Sequence, residues 1–137
     1  MIYNMENNIL LKDLCARLPY RVKCSFGVDD EIYEICGVNL ICCDAPEIQA
    51  IHIESGINGD FSLNSCKPYL FPLSSMTKEQ CKELYNISEV KNVFTPDIRI
   101  KIYNNTIKWF LKNHFDYQGL IPKDLATDAT NLNIYNN

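Results

Sequence analysis

The sequence predicts an α+β domain in which a β-rich stretch is flanked by helices. Three observations carry this. Apolar residues recur at helical spacing over 10–18, strand-like alternation broken by tight-turn residues runs from 20 to 73, and Thr77 and Thr95 each open a segment with helix-start chemistry. The 137 residues, 47% hydrophobic and 22% charged, make one domain: helix 10–18, β-rich unit 20–73, helical part 77–125 and a loosely ordered tail 126–137. A chain of this length buries a core without needing a disulfide or a metal.

The first helix is marked by Leu10, Leu11, Leu14, Cys15 and Leu18, which share one face with Lys12, Asp13 and Arg17 opposite; Pro19 ends it. "RVKCSFG" alternates Val22, Cys24 and Phe26 against Arg21, Lys23 and Ser25, a strand with one buried face, and Gly27-Val-Asp-Asp makes the turn. "EIYEICGVNLICC" holds a glycine, Gly37, where a strand bulges or bends. "IQAIHIE" follows an Asp-Ala-Pro turn, and Gly56-Ile-Asn-Gly forms a hairpin loop into "DFSL", with Phe61 and Leu63 on one side. Pro68 and Pro72 restrict "PYLFP" to a short edge strand. These five short strands have the rhythm of a small antiparallel SH3-like barrel; an open sheet covered by about three helices is the alternative.

Thr77 with Gln80 makes a capping box, Met76 and Cys81 occupy the staple positions, and Cys81, Leu84 and Tyr85 form the expected buried face of that helix. Thr95, Pro96 and Asp97 open another. Beyond them Ile98, Ile100 and Ile102 alternate like a strand, whereas Tyr103, Ile107, Phe110, Leu111 and His114 are spaced like a helix. The helix, running to about Asn113, is preferred over a strand at 98–103.

Charge narrows the function. Between Cys24 and Cys66 lie Asp29, Asp30, Glu31, Glu34, Asp44, Glu47, Glu54 and Asp60, with no lysine or arginine. Such a stretch repels phosphate and disfavours nucleic acid as the partner. Glu31, Glu34, Glu47 and Glu54 are the candidate contacts for a basic protein, and the flanking Arg17, Arg21 and Lys23 are the candidates for nucleic acid or a nucleotide. The start "MIYNMENNILLKDLC" has no cationic segment before an apolar run, and no apolar run approaches the length of a bilayer span, so a cytoplasmic protein without membrane partner is expected. The seven cysteines then read as small apolar residues.

No constellation demands catalysis. Cys36, Cys42, Cys43, His52 and Cys66 contain no C-x₂₋₄-C pair, so no metal is expected; no glycine-rich nucleotide loop occurs, so no cofactor is expected either. His52 reads as a partly exposed strand residue. His114, Asp116 and Tyr117 bring imidazole, carboxylate and phenol together in sequence, but a structural role closing a helix outweighs a hydrolase centred on His114 and Asp116.

Three stretches, "LLKDLCARLPYRVK" at 10–23, "KPYLFPLSSMTKEQ" at 67–80 and "HFDYQGLIPKDLATDA" at 114–129, together resemble a family of small uncharacterised proteins encoded by phages and prophages of gut anaerobes. The resemblance implies origin in a bacterial host cell and assigns no catalytic residue. The reading that follows is a non-enzymatic accessory protein that binds a host or phage macromolecule, a basic protein meeting an acidic β surface. A nucleic-acid module and a small hydrolase are the alternatives.

Overall fold

The computed structural model describes residues 5–27, 31–40, 46–88 and 96–135. The Val28–Asp30 part of the first turn, Cys42 and Cys43, the turn at Asp44 and Ala45, and the Thr95 cap lie outside these residues. Element order is α1 (Met5–Arg17), β1 (Lys23–Ser25), β2 (Tyr33–Asn39), β3 (Glu47–His52), β4 (Asn58–Ser62), β5 (Lys67–Leu70), α2 (Lys78–Ser88), α3 (Pro96–Lys112) and β6 (Thr127–Asp128). The strands form a six-stranded sheet in the order β4-β3-β2-β1-β5-β6, antiparallel except for the parallel β5–β6 pair.

The sheet is open, not an SH3-like barrel. Closure would require the two edges of the sheet, β4 and the β5–β6 end, to meet. Instead β5 returns to the free side of β1, with Cys24 opposite Pro68, and β4 remains an edge paired to β3. β5 is therefore interior, contrary to the edge position expected from its prolines. Pro68 is accommodated because pairing with β6 begins one residue beyond it, at Tyr69 opposite Thr127. Gly37 marks the expected bulge: Ile35 pairs with Ala50 and Gly37 with Gln49, leaving Cys36 as the extra residue.

The alternation expected for β1 holds, with Val22, Cys24 and Phe26 all buried. They join Leu10 and Leu14 of α1, Ile35, Ile48 and Ala50 of the sheet, and Leu63, Cys66, Leu70, Leu120 and Ala126 in one core. The polarity of α1 differs from expectation. Cys15 is exposed, whereas Asp13 and Arg17 are 0% exposed. Positions 10, 13, 14 and 17 form one helical stripe, and Asp13 and Arg17 enter the interior as a mutually neutralising pair.

The second helix starts as its cap predicts: Gln80 N–H donates to Thr77 Oγ1 at 3.1 Å, and Thr77 N–H donates to Gln80 Oε1 at 2.9 Å. Its expected buried face is not buried. Cys81 and Tyr85 are exposed and α2 contributes no buried residue, because its packing partner is α3 rather than the sheet. Residues 98–103 are helical, so the tertiary fold and the start signals at Pro96 and Asp97 override the alternation of isoleucines. Trp109 and Leu111 are buried at the far end of α3, and Trp109 stacks on Phe115 with centroids 5.5 Å apart.

Of the segment expected as a loose tail, the described residues 126–135 are tied in. Ala126 and Ala129 are buried, and β6 pairs with β5. The Tyr135 hydroxyl accepts from Lys23 N–H and donates to the Tyr69 carbonyl, each at 2.8 Å, bridging β1 and β5.

Candidate functional site

The ten residues singled out from the sequence fall into separate places. Arg17 is withdrawn from any surface: its Nε donates to Asp13 Oδ2 at 2.6 Å and its Nη2 to the Phe115 carbonyl at 2.7 Å. Burial raises the Asp13 carboxyl above its ordinary range more than the Arg17 charge lowers it. The guanidinium is thus an interior fastener between α1 and the turn after α3.

Arg21, Lys23, Glu34 and His114, distant in sequence, converge. With Tyr20 and Tyr135 they line a cleft of about 320 Å³. Arg21, left-handed at φ 58°, points a largely exposed guanidinium at Glu34 across 3.3 Å. Lys23 faces Glu34 across the β1–β2 pair, and its Nζ donates to the Ile134 carbonyl at 3.0 Å. The His114 ring stacks on Tyr135 with centroids 3.6 Å apart, and its Nδ1 is buried without a hydrogen-bond partner. Burial, then the Arg17 and Lys23 cations, hold this imidazole neutral with a pKa lowered to about 4. No serine or cysteine is among the described residues lining the cleft.

His114, Asp116 and Tyr117 diverge despite their adjacency. His114 takes the left-handed position after α3 at φ 61°. Asp116 accepts the Leu120 N–H at 2.8 Å and the Ile121 N–H at 2.9 Å, one on each carboxylate oxygen, and so closes the following turn. Tyr117 stacks on Phe110 at 5.6 Å and lies 5.7 Å from the Arg17 guanidinium carbon.

The carboxylates do not form one surface. Ile35, Ile48 and Ala50 face the core, so by alternation Glu34, Glu47 and Gln49 face away from it, and Asp60 stands opposite Gln49 on β4. Glu54 is exposed in the β3–β4 turn. Glu31 is on the other side of the sheet, where its Oε2 lies 2.8 Å from His52 Nε2.

That last contact belongs to a cluster the sequence reading missed. His52 Nδ1 lies 2.7 Å from Ser55 Oγ and accepts the Ser55 N–H at 3.2 Å. The His52 ring also packs on Tyr33 at 5.2 Å, and Tyr33 meets Phe61 at 5.0 Å. Glu31, Tyr33, His52, Ser55, Ile57 and Phe61 are among the residues lining a cleft of about 330 Å³. The His-x-x-Ser spacing across a hairpin turn was the available signal; Glu31, 21 residues from His52, was not connectable to it.

Among the described residues no group of three or more His, Cys, Asp or Glu is placed to hold a metal ion, and no helix is long and apolar enough to cross a membrane. The chain matches no family model, no curated protein and no solved structure.

Proposed function

We propose that the protein is a cytoplasmic binding module of phage or prophage origin that engages a basic protein through the outward face of its sheet. The observation that carries the reading is the solvent-facing side of β3 and β4. There Gln49, Asn58, Asp60 and Ser62 are exposed beside the half-buried Glu47, and among the described residues nothing pairs with the outer edge of β4. Carboxylates on an uncovered sheet face steer a cationic partner, and the free edge offers backbone groups to an incoming strand. Glu54 extends the negative potential into the adjoining turn. Glu31 and Glu34 contribute less, since each already faces a cationic or basic side chain, His52 or Arg21.

The test compares two charge-reversed proteins of equal net charge, Glu47→Lys/Asp60→Lys on the sheet and Glu79→Lys/Glu83→Lys on α2, for binding to a lysine-rich peptide by fluorescence anisotropy. The sheet variant is expected to lose about tenfold in affinity at low salt and the α2 variant far less. Equal losses mean that net charge alone is sensed, and the reading falls.

A second reading, a nucleotide or nucleic-acid module, draws on the cleft that brings Arg21, Lys23 and His114 together. It has lost Arg17, and Lys23 is engaged with the Ile134 carbonyl. A gel shift at about 50 mM salt is the permissive condition for it, because counterion release favours binding there. No shift removes it.

A further inference from the structure

The geometry around His52 decides which ring nitrogen carries the proton. Ser55 N–H donates to Nδ1 at 3.2 Å, and this requires a lone pair on Nδ1. The ring proton is therefore on Nε2, where it donates to Glu31 Oε2 at 2.8 Å. The Ser55 hydroxyl, with Oγ 2.7 Å from Nδ1, is then a second and closer donor to the same lone pair, which it shares with the Ser55 N–H. Hydroxyl, imidazole and carboxylate thus form a relay with the direction that general-base activation of a serine needs.

We propose that Glu31, His52 and Ser55 form a nucleophilic site that transfers the acyl group of small, activated esters to Ser55 and then to water. Ser55 Oγ bonds to the acyl carbon as its proton passes to His52 Nδ1. The bond from that carbon to the alcohol oxygen breaks, and the departing alcohol takes the proton back from Nδ1. Water, deprotonated in turn by Nδ1, attacks the acyl carbon; the bond to Ser55 breaks, releasing a carboxylic acid and restoring the hydroxyl. Glu31 touches no reacting atom. It is a positioning residue that holds the tautomer and stabilises the imidazolium formed in each step.

The surroundings fit a small substrate. The cleft of about 330 Å³ is near the lower end of ligand pockets, and Tyr33, Ile57 and Phe61 make its apolar wall. The Ile57 N–H, which donates to Ser55 Oγ at 3.3 Å, is a donor beside the nucleophile for the charge that develops on the carbonyl oxygen. Approach is open, since nothing lies within 4 Å of where a side chain on Gly56 would stand.

The test treats the full chain with a fluorophosphonate probe and with p-nitrophenyl acetate, and maps the label by mass spectrometry. The proposal expects label on Ser55, a stoichiometric burst of nitrophenol, and loss of both by about a hundredfold or more in Ser55→Ala and in His52→Gln. Ser55 is exposed in a turn, so circular dichroism of Ser55→Ala should match the parent. Glu31→Gln should slow labelling and lower kcat for p-nitrophenyl acetate while leaving KM near that of the parent, since the amide holds the ring less firmly but does not touch the substrate. Labelling no faster than in Ser55→Ala, or label elsewhere, reduces Ser55 to a turn cap and overturns the proposal; an unchanged kcat in Glu31→Gln overturns the role of Glu31. Peptide binding through Glu47 and Asp60 uses none of these residues, so Ser55→Ala should leave it intact and the two proposals fail separately.

Discussion

Arg17 and Asp13 show at the residue scale how a buried charge acts here. Breaking such a pair from one side leaves the other charge desolvated and alone, which typically costs about 3–5 kcal/mol, whereas replacing both with apolar residues of similar size is often neutral. Arg17→Met should therefore lower stability by about that amount, and Asp13→Leu/Arg17→Met should recover most of it; urea denaturation of the three proteins measures both. Arg17 also donates to the Phe115 carbonyl, so the double variant should retain a smaller deficit from that lost hydrogen bond. His114 adds a pH dependence. Its folded pKa is lowered from 6.5 to about 4, so above the ordinary value both folded and unfolded chains are neutral there. As the pH falls from 6.5 towards about 4 the unfolded chain takes up a proton that the folded one refuses, and stability declines through that window. The loss reaches about 3 kcal/mol, and His114→Asn, which keeps a residue tolerant of the left-handed backbone, should flatten the stability–pH curve by that amount.

At the scale of elements, the two ends of α2 and the β3–β4 hairpin are informative. The capping box makes the start of α2 a local device, and α2 buries no side chain, so its loss should not propagate. Thr77→Ala should cost the helix about 1 kcal/mol, seen as faster amide exchange within 78–88 with little change in the sheet. In the hairpin, a Cβ at position 59 would stand 2.8 Å from Phe61 Cε2. That ring is stacked on Phe26 with centroids 4.0 Å apart and cannot retreat freely. Gly59→Ala should destabilise by about 1–3 kcal/mol by thermal or urea unfolding, an overpacking effect. The capping box and the β1 alternation were legible because both depend on residues within a few positions of each other. The interior place of β5 was not, because its second neighbour, β6, arrives 57 residues later as a two-residue strand without alternation of its own.

For the whole molecule, the last residues matter more than their composition suggests. Tyr135 supplies a hydroxyl to the backbone of both β1 and β5, and its aromatic ring covers His114. Tyr135→Phe leaves the Lys23 N–H and Tyr69 carbonyl without that partner and should cost about 1–3 kcal/mol in denaturant unfolding. A single tyrosine in an Asn-rich stretch carries no periodicity, so no pattern marked it as a bridge between strands.

Local chemistry alone determined the α+β class, the strand at Val22 to Phe26, the bulge at Gly37, the cap at Thr77 and the uneven spread of charge, since each follows from backbone preference or spacing within a few residues. Only the tertiary structure decided that the sheet stays open, that Arg17 is interior and not a contact residue, and that Glu31 meets His52, which in turn bonds Ser55. Those outcomes turn on which distant segments fill the space beside each side chain, and an ion pair at helical spacing or a carboxylate before a strand has the same local pattern whether water or protein comes to lie against it.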